Sequence, residues 1–246
     1  KFRYVGDPAN TCRIFNELEV DELVFLDILA SREKREPNYA LLRDISSECF
    51  MPLSYGGGIT SVEIAEKVLK IGFEKVIVNT AALRNPALIA ELGKKIGRQS
   101  LIVAIDVRKG WLGQERCRGL SGRWNSGLQP VTWAQKAQSE GAGEILLTSV
   151  DREGTWEGFD LELVSRVVDA VSIPVICWRK VSKTAPVKFV NVSKAALNDE
   201  DVESGSIAHE VILGSATAGP SGQRVRVKGA IWIFRITRHI RRFHIV

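Results

Sequence analysis

Short apolar runs alternate along the chain with longer stretches in which apolar residues recur every three or four positions. The runs cover 23–28 (LVFLDI), 52–58 (PLSYGGG), 75–80 (KVIVNT), 101–107 (LIVAIDV), 144–150 (EILLTSV) and 173–177 (IPVIC). Nearly continuous apolar runs of this length predict strands buried on both faces, as in parallel sheets. Between them, 61–71, 86–96 and 131–140 have helical periodicity. Successive strands begin 29, 23, 26, 43 and 29 residues apart, which is the spacing of repeated strand–helix units. The 43-residue interval predicts an additional Gly- and Arg-rich loop, 109–127, before its helix. A further helix is expected over 7–20, ahead of the first visible strand.

Six such strands fit a (β/α)8 barrel, a fold of about 250 residues. A doubly wound sheet is the rival, but no GxGxxG follows the first strand, which weighs against a dinucleotide-binding version. In a barrel the helix at 7–20 follows a strand that is not visible here. The chain opens KFRY, with no Met and no apolar signal core, and a fragment is expected. An internal repeat relates 21–27 (DELVFLD) to 143–149 (GEILLTS). The strand following the first copy ends in three glycines, whereas the strand following the second runs into CWRK at 177–180. The expected fold is therefore an α/β TIM barrel, incomplete at the N-terminus and aberrant after the seventh strand. Residues 1–176 form its barrel portion (strands 2–7) and 177–246 a divergent C-terminal segment.

Charge sharpens that division. The 246 residues have globular proportions, 26% charged and 45% hydrophobic, and carry a net charge of +5. No apolar run reaches the roughly 18 to 20 residues of a membrane-spanning helix. Residues 1–176 hold 22 Lys and Arg against 24 Asp and Glu, a net of −2. Residues 177–246 hold 12 against 5, a net of +7, and all three histidines. The basic character belongs to the terminal segment, so nucleic acid is not expected as a partner of the barrel, and no membrane is. The segment 224–243 (RVRVKGAIWIFRITRHIRRF) alternates basic and apolar residues, which leaves open an inactive fragment with a basic binding tail. The cysteines, Cys12, Cys49, Cys117 and Cys177, form no CxxC and have no His at ligand spacing. No metal site is expected, and reduced thiols suit a cytoplasmic protein.

Candidate chemistry lies at strand ends. In SYGGGIT (54–60) the glycines let backbone N–H groups approach an anion at the start of a helix; a tight turn is the plain alternative. Asn79 and Thr80 end the next strand, where barrel active sites form, although Thr80 could equally cap a helix. Asp106 ends a buried apolar strand, where a carboxylate is costly unless paired or used, and could act as a general acid or base. Asp27 follows the same logic. The loop 149–155 offers hydroxyls and Gly154 as a second anion site. Glu22, Lys75 and Glu144 begin strands at the opposite end, where they could form a salt-bridged ring or merely be solvated.

Taken together, DELVFLDI, YGGGI, EKVIVNTAALRNP, VAIDV and GAGEILLTSVDREGTWEGFDLEL, spread over residues 5–176, resemble the cyclase subunit of imidazole glycerol phosphate synthase. The resemblance implies a (β/α)8 barrel that needs no cofactor and binds a small-molecule substrate through two phosphate sites. It also implies a glutaminase partner subunit that supplies ammonia. The activity implied is a lyase of histidine biosynthesis, which forms imidazole glycerol phosphate and an aminoimidazole carboxamide ribotide. Asp106 is similar to one of two catalytic aspartates. Gly58, Asn79 and Thr80 match one phosphate site; Glu153, Gly154 and Thr155 match the second, with Glu153 where the family often has Asp. Asp27, Gly57 and Thr148 join the substrate-binding set. Glu22, Lys75 and Glu144 match three members of a charged ammonia gate, and Glu74 and Gln99 fall on the face that the glutaminase covers.

The resemblance breaks at both ends. The other catalytic aspartate and the fourth gate residue belong to a first strand not seen here. The Gly-rich end of the seventh strand is replaced by CWRKVSK, and no eighth strand is evident. Read one base later, TGG-AGG-A spells GGA-GGA, so a reading-frame slip near codon 178 would restore Gly-Gly. The opening YVGDP and RIFNELEVDEL also resemble a branch of the family associated with surface-polysaccharide genes. That keeps open a second role, an ammonia-delivering amidotransferase subunit for sugar modification.

Overall fold

The structure, a computed structural model, describes residues 22–152, 155 and 159–180, together with 3–6, 12, 15–16, 187–192, 231–236 and 243–245. Its strands are β1 (Arg3–Gly6), β2 (Glu22–Leu26), β3 (Leu53–Gly56), β4 (Lys75–Val78), β5 (Leu101–Lys109), β6 (Glu115–Gly119), β7 (Trp124–Asn125), β8 (Glu144–Ser149), β9 (Val175–Lys180), β10 (Val187–Val192), β11 (Ile231–Ile236) and β12 (Phe243–Ile245). The helices are α1 (Ala30–Glu33), α2 (Tyr39–Glu48), α3 (Val62–Lys70), α4 (Thr80–Arg84), α5 (Ala87–Ile96), α6 (Pro130–Glu140) and α7 (Leu161–Ala170).

Their ends follow local chemistry. Asn38, Ser61 and Asp160 accept the third-residue N–H at the starts of α2, α3 and α7, relieving donors that have no partner within the helix. Pro130 opens α6 and Gly141 closes it in a left-handed conformation, each where its backbone is suited.

The strands β2, β3, β4, β5, β8 and β9 are hydrogen-bonded in that order, all parallel. They coincide with the six runs read from sequence, and the structure is a curled, incomplete barrel wrapped by helices. Alternation along the strands divides the apolar residues into two clusters. One face packs Leu23, Phe25, Tyr55, Val76, Val103 and Leu147 beneath the helices. The other turns Val24, Ile77, Ile102, Ala104, Leu146 and Ile176 toward each other as a separate inner cluster. Fully burying a side chain of this size is worth roughly 1.5–3 kcal/mol, so the two-sided burial holds the sheet in its curl.

Two features differ from the sequence reading and one follows it. The insertion at 109–127 is an antiparallel ribbon, in which β5 pairs β6 and β6 pairs β7. The alternation of Arg116, Cys117 and Arg118, with Cys117 buried, is strand periodicity inside what composition marks as a loop. After β9 the sheet abandons its parallel repeat, and β10 returns antiparallel, in keeping with the aberrant seventh-strand end. Finally, β11 pairs in parallel with β2, so a strand does stand at the place where the sequence offered no eighth one. Of the helix expected over 7–20, Cys12, Phe15 and Asn16 are described as helical and the remainder lies outside the described residues.

Candidate functional site

Because inward positions alternate, the barrel interior can be read in layers. Glu22, Lys75 and Glu144 begin their strands and, with Ser54 at the second position of β3, form a floor. Above them sits the apolar inner cluster. Asn79, just after β4, Asp106 on β5 and Thr148 on β8 stand toward the opposite end. Lys75 and Asn79 are four residues apart, or about 13 Å along a strand.

The floor is closed by charge pairing. Lys75 Nζ donates to Glu144 Oε1 and Oε2 at 3.0 and 3.2 Å and to Glu22 Oε2 at 3.4 Å. Ser54 Oγ donates to Glu22 Oε1 at 2.7 Å. Burial works against the Lys75 charge, but the flanking carboxylates outweigh it and raise the ammonium's pKa above its ordinary value. The three gate residues thus meet in one bridged group with 15–19% of each side chain exposed. Glu74 and Gln99 are exposed at the same end, Glu74 immediately before β4 and Gln99 in the turn before β5.

The opposite end gathers Asp106, Asn79, Thr80 and the Gly-rich turn. Asn79 Nδ2 donates to Asp106 Oδ2 at 3.2 Å, while Asn79 Oδ1 is buried without a hydrogen-bond partner. Thr80 is buried and its Oγ1 accepts the Leu120 N–H at 2.9 Å, which ties the β6–β7 ribbon to the start of α4. Ser121 Oγ ties it further, donating to the Ile28 carbonyl at 2.5 Å. Asp106 is partly buried, and Thr148 lies fully buried beside it in the β5–β8 register.

Asp27 has a different surrounding. It is 3% exposed. Its Oδ1 accepts the N–H groups of Leu29 and Ala30 at 3.1 and 3.0 Å, and Arg35 Nη1 pairs with its Oδ2 at 2.7 Å. The Asp27 carboxylate therefore orders the β2–α1 connection. That connection presses on the glycine turn. A Cβ on Gly57 (φ +125°) would lie 2.5 Å from the Asp27 carbonyl oxygen, and one on Gly58 (φ +71°) 2.5 Å from that of Arg35. Only glycine tolerates both the backbone angle and the contact. Close packing thus accounts for these two glycines, and it is compatible with a ligand at the same turn. Arg35 is a residue that the sequence reading missed. Its signal was weak: a cation eight residues beyond an isolated strand-end Asp.

The second anion loop is only partly visible. Glu153 and Gly154 lie outside the described residues. Thr155 is exposed and its Oγ1 donates to the Arg152 carbonyl at 3.0 Å. Nearby, Asp151 accepts from Arg108 Nε and from the Lys109 N–H at 3.2 and 2.7 Å. Arg152 and Lys109 both approach Asp160 Oδ2 at 3.7 Å. Among the described residues no helix is long and apolar enough to cross a membrane.

Known proteins resemble this chain over most of its length. It is 49% identical over 174 residues, 71% of the chain and 69% of the relative, to a Pseudomonas aeruginosa protein provisionally named imidazole glycerol phosphate synthase subunit hisF2. It is 45% identical over 175 residues to imidazole glycerol phosphate synthase subunit HisF of Thermococcus onnurineus, 71% of the chain and 69% of the relative. To the same-named subunit of Alkaliphilus metalliredigens it is 43% identical over 171 residues, 70% of the chain and 68% of the relative. The family model described as "Histidine biosynthesis protein" matches residues 1–211, and this chain belongs to that family.

Proposed function

We propose that the chain acts as the cyclase subunit of an imidazole glycerol phosphate synthase. Ammonia released by a glutaminase subunit enters past Glu22, Lys75 and Glu144, with Glu74 and Gln99 in the partner-facing rim. It crosses the apolar interior and adds to the substrate carbonyl near Asp106. The Asp106 carboxylate shuttles protons during cleavage and ring closure, and Asn79 holds it in place. The glycine turn with Asn79 and Thr80 takes one phosphate, and Glu153, Gly154 and Thr155 take the other; fixing a substrate at both ends converts binding into orientation.

The observation that carries this reading is the layering: a charge-bridged floor and a polar mouth joined by an inner wall of Val24, Ile77, Ile102, Ala104, Leu146 and Ile176. Such a wall offers an uncharged small molecule few hydrogen bonds and keeps it in transit. The names of the relatives support the histidine reaction over sugar modification. The test is formation of imidazole glycerol phosphate from its ribulosyl precursor with ammonium chloride as nitrogen source. Asp106→Asn is expected to lower the rate about 10²- to 10⁴-fold. A wild-type chain with no turnover, or an Asp106→Asn variant as fast as wild type, overturns the proposal.

A further inference from the structure

We propose that Arg118 is an anion-binding residue of the barrel mouth, taking the phosphate of a small phosphorylated polyol or sugar held over Asp106. This goes beyond the reading above, in which the glycine turn with Asn79 and Thr80, and the 153–155 loop, hold the phosphates. It stands whichever reaction Asp106 serves.

Position is the first argument. Arg118 lies directly opposite Asp106 in the antiparallel β5–β6 ladder, and directly opposed residues project from the same face. That face is the inner one, since Ile102 and Ala104, four and two residues before Asp106, belong to the inner cluster. Arg108 and Arg116 form the next opposed pair on this face, farther out.

Partnership is the second. Arg108 is paired with Asp151, and Arg116 Nη1 donates to the Glu115 carbonyl. Among the described residues, Arg118 alone of these three makes no side-chain hydrogen bond or ion pair, and its Nε is buried without a partner. A lysine so placed could shed its proton, but a guanidinium cannot. The charge therefore persists on a partly exposed side chain that faces the Asp106 carboxylate across the ladder, and a bound phosphate would supply the partner that its buried Nε lacks. Planar paired N–H groups suit phosphate oxygens.

Bonded to the same Asp106, Asn79 also has a buried acceptor, Oδ1, with no donor. One ligand bearing both an anionic phosphate and a hydroxyl would satisfy the two atoms together, which is why a phosphorylated polyol fits better than a bare anion. The arm is also held in place before binding. Leu120 is fastened to Thr80, Ser121 to Ile28, and the Cys117 N–H to the Leu128 carbonyl at 2.9 Å. Little ordering is left for the ligand to impose.

Calorimetric titration of the full chain with glycerol 3-phosphate tests this, with glycerol as control. Wild type is expected to bind the phosphate and not glycerol. Arg118→Met should weaken binding about tenfold or more, since a hydrogen bond to a charged group is worth about 1.5–3 kcal/mol. Arg118→Lys should fall between, and Arg116→Met should stay within about twofold of wild type. Equal affinity in wild type and Arg118→Met, or no binding by wild type, overturns the assignment. If Arg118→Met gives no cooperative melt, Arg118→Lys decides, and unchanged affinity there overturns it. The titration requires no turnover, so tight, Arg118-dependent binding by a chain without cyclase activity would retain this site and reject the reaction proposed above.

Discussion

The two ends of the barrel interior treat polar groups in opposite ways. At the floor, Lys75 reaches both Glu22 and Glu144, and Ser54 takes up the remaining Glu22 oxygen. At the mouth, two buried polar atoms, Asn79 Oδ1 and Arg118 Nε, have no partner. Leaving a buried polar atom unpaired costs about 1–3 kcal/mol, so natural folds rarely keep one without a use. The satisfied end holds the strands in register. On the proposals above, the unsatisfied end takes its missing partners from a bound ligand.

The largest expected effect lies at the floor. Lys75→Met leaves two inward carboxylates facing each other without their shared cation. Breaking a buried ion pair costs about 3–5 kcal/mol; with 15–19% of these side chains exposed, roughly 2–4 kcal/mol is expected. Urea unfolding at pH 7.5 measures it. In the wild type, the Lys75 pKa is raised by its partners, so its contribution is fully present below the ordinary lysine pKa and is lost only as alkaline pH passes the raised value. Between pH 5 and 9 the wild-type stability should not change through Lys75. A loss below about 1 kcal/mol, the size of a solvated surface pair, would mean the floor is not an electrostatic bridge.

A mouth substitution should reverse the balance between stability and binding. Asn79→Ala removes one 3.2 Å bond to Asp106 and, with it, a buried acceptor that had no donor. These changes oppose each other, and the net stability change is expected within about 1 kcal/mol. Affinity for glycerol 3-phosphate should nevertheless fall by about threefold or more, because the ligand's hydroxyl loses its acceptor. A variant as destabilised as Lys75→Met, with affinity intact, would show that both ends serve structure alone.

The barrel wall was legible because buried parallel strands write themselves as apolar runs, and all six begin within two residues of their expected starts. The floor was legible for a related reason: Glu22, Lys75 and Glu144 interrupt those runs at their first positions, where a charge must find a partner. The ribbon was not legible. Its strands are half exposed and rich in arginine, and Gly110, Gly113, Gly119 and Gly122 make it resemble a loop by composition. Arg118 acquires its meaning only from the register that sets it opposite Asp106, and cross-strand register is not written in local spacing. Arg35 was missed similarly, since its partner Asp27 was read as facing a ligand, whereas the β2–α1 turn brings the two together. In the 224–243 segment, the alternation of basic and apolar residues suggested a binding tail, yet its central residues form β11 alongside β2.

The smallest effect concerns whether the mouth is as rigid as the wall. Cys117 lies in the ribbon with Asp106 nearby, and Cys177 in β9; both are buried free thiols. Burial pushes each thiol up to about 12, and the Asp106 charge adds to the shift for Cys117. Only thiolate reacts, so at pH 8 both should be silent toward an alkylating reagent, while half-buried Cys49 labels readily. Raised thiol pKa values also make stability fall with alkalinity, beginning near the unfolded value of about 8.5 and continuing toward the folded one. Labelling followed by mass spectrometry then compares the ribbon with the wall directly. If the ribbon is fastened as firmly as its bonds to Thr80 and Ile28 imply, Cys117 and Cys177 become reactive together, at the rate of global unfolding. Cys117 reacting well before Cys177 would mean that the ribbon opens on its own, and an arginine arm on an opening ribbon would not be preorganised for its anion.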